Sequence, residues 1–199
     1  IYGAGIMGRP GIASSLFQTL SDAGVNIRLI ATSEVKVSCV IDANYGKKAL
    51  RNVGEFFKLN EKQINLNPIS KDNNEPEVRG IALDKDQIQI SVKNVPDKPG
   101  TASIICSSLA ERSISLDTIV QSERQHRDKT KDISFTLKKD DRNEAKYALE
   151  ELISSWEGAT LEEGNSIVRI SAVGSGMPFT RGTAGKIFRA LANQKINIE

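Results

Sequence analysis

Three stretches of this chain align without a gap from a shared glycine: Gly11–Leu20 (GIASSLFQTL), Gly100–Leu109 (GTASIICSSL) and Gly182–Leu191 (GTAGKIFRAL). Each leads to a tripeptide of strand character, Val25-Asn26-Ile27, Ile114-Ser115-Leu116 and Ile196-Asn197-Ile198. The glycines stand 89 and 82 residues apart, too far for solenoid units and suited to small globular modules. A length of 199 residues allows one or two ordinary domains, or three small ones.

The central copy shows what a module contains. Gln87–Asn94 (QIQISVKN) alternates apolar and polar, as a half-buried strand does. Pro99-Gly100 opens a helix whose apolar residues Ala102, Ile105, Leu109 and Ala110 recur at helical spacing, with Pro99 suited to the first turn. Ile114–Gln121 and Asp132–Leu137 read as strands, joined through the polar stretch Ser122–Lys131. Arg142–Trp156 reads as a second helix with Ala145, Ala148, Leu149 and Leu152 on one face, and Gly158–Leu161 as a short closing strand. The order βαββαβ predicts an α+β, ferredoxin-like unit, an antiparallel sheet with both helices on one face.

The other copies are expected to be partial. The first has Ile1–Ile6 for an opening strand, then a helix, two strands including Val35–Ile41, and a helix near Ala43–Leu59. The third opens at Ser166–Val173 and ends after its first helix. The expected organisation is a module over 1–66, a linker over 67–77, a complete module over 78–165 and a third module over 166–199. Lys71–Glu77 (KDNNEPE) is the best linker stretch. Both ends fall within a module, so the chain is expected to be part of a longer protein.

Composition removes several classes of function. Twenty-seven Lys and Arg against 25 Asp and Glu leave +2, too little for a nucleic-acid-binding or membrane-binding field. No apolar run approaches the roughly 18–20 residues of a membrane span. Cys39 and Cys106 are single and far apart, which argues against a disulfide scaffold and for a reducing compartment such as the cytoplasm. One histidine, His126, removes most metal sites and histidine-dependent triads, and its polar neighbours place it in a solvated loop. Cys39 and Cys106 sit at apolar positions and read as packing residues. Nothing assembles a nucleophile, a base and an oxyanion site, so the expected catalytic residues, metal ligands and cofactors are none.

Two binding motifs also fit poorly. Gly3-Ala-Gly-Ile-Met-Gly8 matches the dinucleotide fingerprint G-x-G-x-x-G. The position about 20 residues on holds Arg28 rather than an acid, and the next strand enters a tight hairpin instead of a parallel crossover. The strand order is also that of an RNA-recognition module, but the central strands lack its stacking aromatics.

The turn from strand to helix is the best candidate site. Asp97-Lys-Pro-Gly100 and Arg9-Pro-Gly11 put a helix start, with its unpaired N–H groups, directly after a strand. Across the module, Ser115–Gln121 offers a carboxylate, Asp117, and an amide, Gln121, for an ammonium group. Together these could hold an α-amino acid by both ends. A plain capped helix explains the same turn equally well.

Several runs resemble a known family: Val78-Arg-Gly-Ile-Ala-Leu-Asp-Lys85, Asn94-Val-Pro-Asp-Lys-Pro-Gly100, Ile119-Val-Gln121, Asp132-Ile-Ser-Phe135 and Thr32-Ser-Glu-Val-Lys-Val-Ser38. They look like the regulatory region of aspartate kinases, built from amino-acid-binding ACT domains of βαββαβ form. The resemblance spans nearly the whole chain. In that family the first ACT module of a pair carries the Asp-Lys-Pro-Gly turn and the second the Thr-Ser-Glu run. The order here is second-type, first-type, second-type, implying two tandem pairs.

The resemblance implies feedback inhibition by lysine and/or threonine, acting on a kinase domain that holds ATP and Mg and lies outside these residues. It also implies a homodimer through ACT modules. The family's effector positions fall on Asp97, Gly100, Thr101, Ala102, Asp117 and Gln121 in the central module. In the first they fall on Met7, Asn26, Ile27, Ser33 and Glu34, and in the third on Asn197 and Ile198. Ser115 stands where the family commonly has Asn, and Pro178-Phe-Thr-Arg-Gly182 replaces a His-Pro-Gly type turn. A structural ACT dimerisation module that binds no ligand is the alternative.

Overall fold

The repeated glycine has the same conformation in every copy. Its φ is positive, 97° at Gly11, 95° at Gly100 and 89° at Gly182, and a helix follows at once: α1 (Ile12–Asp22), α3 (Thr101–Ala110) and α5 (Thr183–Asn193). Side chains with a Cβ rarely take this backbone, so the glycine is what lets the chain leave a strand and enter a helix within one residue. Pro99 therefore lies outside the helix, two residues before its first turn, and not within that turn as the sequence suggests.

The computed structural model describes residues 1, 3, 6, 9–33, 36–60, 64, 77–122, 129–174, 176–177 and 180–198. The chain divides into two compact units, Ile1–Asn65 with Asp86–Ile167, and Leu66–Lys85 with Val168–Glu199. The strands are β1 (Ile27–Ser33), β2 (Lys36–Ile41), β3 (Gly80–Pro96), β4 (Thr118–Gln121), β5 (Thr130–Lys138) and β6 (Thr160–Val173). The other helices are α2 (Gly46–Phe56) and α4 (Arg142–Ile153), each entered through a single 3-10 turn.

The strands form one sheet in the order β2-β1-β4-β5-β3-β6. The run β4-β5-β3-β6 has the strand order of a βαββαβ unit, and β2-β1 are the two middle strands of the preceding module. The fold is α+β, with ferredoxin-like βαββαβ modules in tandem. Along β5 the inward residues Lys131, Ile133, Phe135 and Leu137 are all buried, and they alternate with residues of the opposite face. Helices cover the inward face: Phe17 and Leu20 from α1, Ile105 and Leu109 from α3, and Ala145 and Leu149 from α4 pack with Ile30, Ile90 and Phe135 in one core, all in the first unit.

Within the first unit the two modules are related by a pseudo-twofold axis. Strand β1 pairs antiparallel with β4 through Ile30 opposite Gln121 and Ala31 opposite Val120. Ala31 and Val120 are separated by the 89-residue repeat, so each meets its own equivalent. Ser14 and Ser103 share that separation, and Ser103 Oγ donates to Ser14 O at 3.3 Å. A residue can face its own repeat only on a twofold axis, and the axis runs through the sheet here and through the α1–α3 contact.

Several sequence-based boundaries shift, each for a local reason. The strand expected at Ile114–Gln121 is regular only from Thr118, because Ser113 takes a left-handed φ of 60° and Ile114 N donates back to Leu109 O at 3.0 Å to close α3. The helix expected to Trp156 stops at Ile153, where Ser154 and Ser155 hydroxyls donate to the Glu151 and Leu152 carbonyls at 2.7 and 2.9 Å. The separate strands expected at Gly158–Leu161 and Ser166–Val173 are one, β6. Gly164 does not turn the chain there: a Cβ on it would sit 3.2 Å from the Gln89 carbonyl oxygen, so the glycine admits β3 at close range. Of the expected strand Ile1–Ile6, only residues 1, 3 and 6 are described, and Ile1 exchanges backbone hydrogen bonds of 2.8 and 3.0 Å with Val37 beside β2. Most of the expected linker, 67–76, lies outside the described residues.

In the second unit, Arg79 N donates to Val173 O at 2.7 Å, and Asp84 pairs with Arg169 at 3.4 Å. Lys186 on α5 pairs with Glu77 at 2.9 Å, which, with a bond from Thr183, holds the Glu77 carboxyl below its ordinary range.

The glycine geometry gives opposite signs at two positions. Gly100→Ala forces a Cβ into the left-handed region and should cost about 1–2 kcal/mol. Gly46→Ala, at a helical φ of −53° with open space around its Cβ, should be neutral or gain up to about 1 kcal/mol. Urea denaturation of the two variants checks this, and equal effects would refute it.

Candidate functional site

The Asp97 turn is aimed by a β-bulge. The register of β3 against β5 slips between Val92 and Val95, where Asn94 takes a φ of 55° and its N–H donates to Asp132 Oδ1 at 3.1 Å. Asparagine tolerates this left-handed backbone better than most residues. Beyond the bulge Asp97 N donates to Lys129 O at 3.1 Å, and Thr101 Oγ1 to Pro96 O at 2.8 Å, fastening the turn to the start of α3.

The opposite wall comes from the first module. Val25, Asn26 and Ile27 line the same cleft as Asp97, Gly100, Thr101 and Ala102, with Gln121 and Lys131 also lining it. Asn26 Nδ2 donates to Asp97 Oδ1 at 3.0 Å, and Gln121 Nε2 to Ile27 O at 2.9 Å. The register of β1 against β2 also slips, between Ile27 and Leu29, and the carbonyl of the intervening Arg28 accepts from Lys131 Nζ at 3.1 Å.

Lys131 and Asp97 are 3.3 Å apart, with side chains only 5% and 11% exposed. A buried ion pair of this kind is held by its hydrogen bonds as much as by its charges, and each member depends on the other. Asn26 and the Arg28 carbonyl supply those bonds from the other module, so the pair fastens the two modules together. It also fills the cleft: the remaining cavity volume is about 10 Å³, the room of roughly one water molecule.

The twofold axis generates a second cleft. Ile6, Arg9, Gly11 and Ser14 of the first module face Ile114, Leu116 and Asp117 of the second, with Thr32 and Ser33 alongside and a cavity volume of about 30 Å³. Asp117 lines this cleft and not the one at Asp97, and its Oδ2 accepts from Gln87 Nε2 at 2.6 Å. The proposed clamp of Asp97 against Asp117 and Gln121 is thus corrected. Only Gln121 shares the Asp97 cleft, because successive modules build each cleft jointly rather than one module alone.

The structure therefore gathers seven of the sequence-predicted residues, Asp97, Gly100, Thr101, Ala102, Gln121, Asn26 and Ile27, at one cleft, and Asp117 and Ser33 at the other. Asn197 and Ile198 are exposed in the second unit. Met7, Glu34 and His126 lie outside the described residues. Sequence reasoning missed Lys131, although its position two residues before Ile133, in phase with Phe135 and Leu137, is an inward one.

Among the described residues no group of three or more His, Cys, Asp or Glu could hold a metal ion. None of the described helices is long and apolar enough to cross a membrane. Burial pushes both thiols up to about 12. Neither thiol is a nucleophile at neutral pH.

Comparison with known proteins follows the same outline. The model of a family described as ACT domain matches residues 1–57 and 170–199. An aspartokinase of Helicobacter pylori is 41% identical over 123 residues, 62% of this chain and 29% of that protein. One of Thermus thermophilus is 38% identical over 122 residues, 61% of this chain and 30% of that protein. The chain thus spans about 30% of the length of these curated relatives. A crystal structure of aspartate kinase from Synechocystis is similar over 100% of this chain and 34% of that one, at 44% identity and a TM-score of 0.91. The regulatory subunit of aspartate kinase from Thermus flavus is 37% identical over 62% of this chain and 80% of that one, with a TM-score of 0.57.

Two measurements test the site. Asp97→Ala leaves the Lys131 ammonium buried beside a single carbonyl and should cost about 3–5 kcal/mol in urea denaturation, with part of the loss recovered by adding Lys131→Met. Arg51→Ala, which breaks an exposed pair with Glu55, should cost about 0.5 kcal/mol or less. A loss below about 1 kcal/mol for Asp97→Ala would show that the pair is not a fastening. Secondly, native-state alkylation of Cys39 and Cys106 at pH 8 should run at least about a hundredfold slower than in the unfolded chain, since few thiolates form. Rates equal to those of the unfolded chain would show the thiols are not held in the core.

Proposed function

The chain belongs to the ACT-domain regulatory regions of aspartate kinases, and we propose that it is the amino-acid-sensing part of such an enzyme. In this reading lysine and/or threonine binds at a module interface and lowers the ATP-dependent phosphorylation of L-aspartate, the first step toward lysine, threonine and methionine. The observation that carries it is the Asp97 cleft. Residues of two modules meet there around a helix start, which suits a carboxylate, and a buried carboxylate, which suits an ammonium.

The geometry supplies a mechanism for the coupling. The cleft has room for about one water. An amino acid can enter only if the two walls separate, and those walls belong to different modules. Ligand binding then favours an arrangement of the module pair other than the closed one, by as much as its affinities for the two differ. The kinase domain, with its ATP and Mg, would lie outside these residues and feel that rearrangement. The same reading places the protein in the cytoplasm, or an equivalent reducing compartment, as a homodimer joined through ACT modules.

Calorimetry and melting of the full-length protein with each amino acid test the proposal. A ligand present at a hundred times its Kd should stabilise the folded state by about 2.7 kcal/mol, seen as a raised melting temperature, and should reduce aspartyl phosphate formation at the same concentrations. Unchanged melting and unchanged activity with both amino acids at millimolar concentration would favour a purely structural ACT module.

A further inference from the structure

Among the described residues Lys131 is the only charged side chain in the buried class, with 4% of its surface exposed. It is also part of the cleft lining. The chain has thereby placed an alkyl stem ending in an ammonium inside the pocket that the proposed function assigns to an effector. Its Nζ takes Asp97 Oδ1 at 3.3 Å and Arg28 O at 3.1 Å. Those are the acceptors that a basic ligand side chain would need. An ammonium has three donors, so one remains for an acceptor brought in from outside.

Charge counting points the same way. The ionised groups lining the cleft are Asp97, Lys98 and Lys131, one negative and two positive. A zwitterionic amino acid with an uncharged side chain adds no net charge, and its carboxylate can meet the start of α3 and the spare donor of Lys131. A basic amino acid adds a second ammonium next to a buried one, competing for a carboxylate already shared by Lys131 and Asn26. Like charges in a dry site repel strongly, and Lys131 cannot leave without abandoning its own partners.

We infer that Lys131 is the specificity-determining residue of the Asp97 cleft: a tethered ammonium that occupies the place of a basic side chain, so that this cleft takes a small amino acid with an uncharged side chain and refuses a basic one. The inference rests on the sensor reading above and narrows it, assigning threonine rather than lysine to this cleft. It leaves the second cleft free to take either.

Competition calorimetry on the full-length protein separates the two claims. In the wild-type protein lysine should not displace threonine from this cleft: any shift of the threonine isotherm that lysine causes from the second cleft should level off once that cleft is full, where competition would keep growing with lysine concentration. Norvaline should compete with threonine at least tenfold better than 2,4-diaminobutyrate, which has nearly the same shape and an added charge. In Lys131→Gln, lysine should become a competitor of threonine, with at least tenfold higher affinity for this cleft. Threonine binding with lysine still excluded from a folded Lys131→Gln protein would overturn the role of Lys131 and leave the sensor reading standing. Equal competition by norvaline and 2,4-diaminobutyrate in the wild type would overturn it too, whether or not the variant folds. No binding of threonine, lysine or norvaline to either protein would overturn the sensor reading and the inference with it.

Discussion

The antiparallel pairing of β1 with β4 is the contact on which the rest of the first unit depends. An open strand edge invites uncontrolled pairing, and here each module covers the edge of the other. Few ladder pairs make the junction, with Ala31 opposite Val120 at its centre. Side-chain bonds reinforce it: the Thr32 hydroxyl accepts from Ile119 N at 2.8 Å, and the Gln121 amide, 5% exposed, donates to Ile27 O at 2.9 Å. On the other side of the core, α1 and α3 meet through Ser14, Gln18 and Ser103, with Ser103 Oγ 2.9 Å from Gln18 Oε1. Small residues at that crossing let the helices approach, and the twofold axis follows from both contacts.

Two irregular strands then break the symmetry of the junction at the Asp97 cleft. A continuous ladder would spend every backbone group on its neighbouring strands. The slip at Arg28 presents a carbonyl to Lys131, and the slip at Asn94 swings the following turn so that Asp97 meets that same ammonium. Bulges of this kind bend a strand and re-aim a side chain. Neither Asp97 nor Lys131 has its polar contacts satisfied within its own module alone, which is why the pair belongs to the interface.

How far the sequence discloses this depends on the scale of the interaction. The repeat, the module type and the helix starts are local signals: a glycine needing positive φ, and apolar residues at helical or strand spacing. Those were legible at Gly11, Gly100 and Gly182 and along α3 and β5. The boundaries that moved did so where a bond to a distant strand or a serine hydroxyl decided the matter, as at Gly164 against Gln89 and at Ser154. The cleft was legible only in part. Asp97 and Gly100 announce themselves as a strand-to-helix turn, but Asn26, the partner of Asp97, comes from a different module, 71 residues earlier. No pattern within one module can show that, and so Asp117 was paired with the wrong turn. Lys131 was overlooked because a lysine near a polar loop reads as solvated, although the strand's alternation assigns it inward.

The two clefts share a backbone plan but no longer share chemistry. The repeat places Asn26 opposite Ser115, Thr32 opposite Gln121 and Arg9 opposite Lys98 in the equivalence. The Asp97 cleft carries the buried ion pair and is nearly filled, while the one at Asp117 keeps about three times the cavity volume, roughly 30 against 10 Å³. Identical clefts would answer to one ligand. Divergent ones give a single chain two different walls to be parted, with one axis between them. Each cleft is bounded by both modules. Where a ligand at one cleft alters the affinity of the other, linkage makes the effect the same in both directions. The divergence of the repeats is what makes two-ligand coupling possible in a structure whose backbone is close to symmetric.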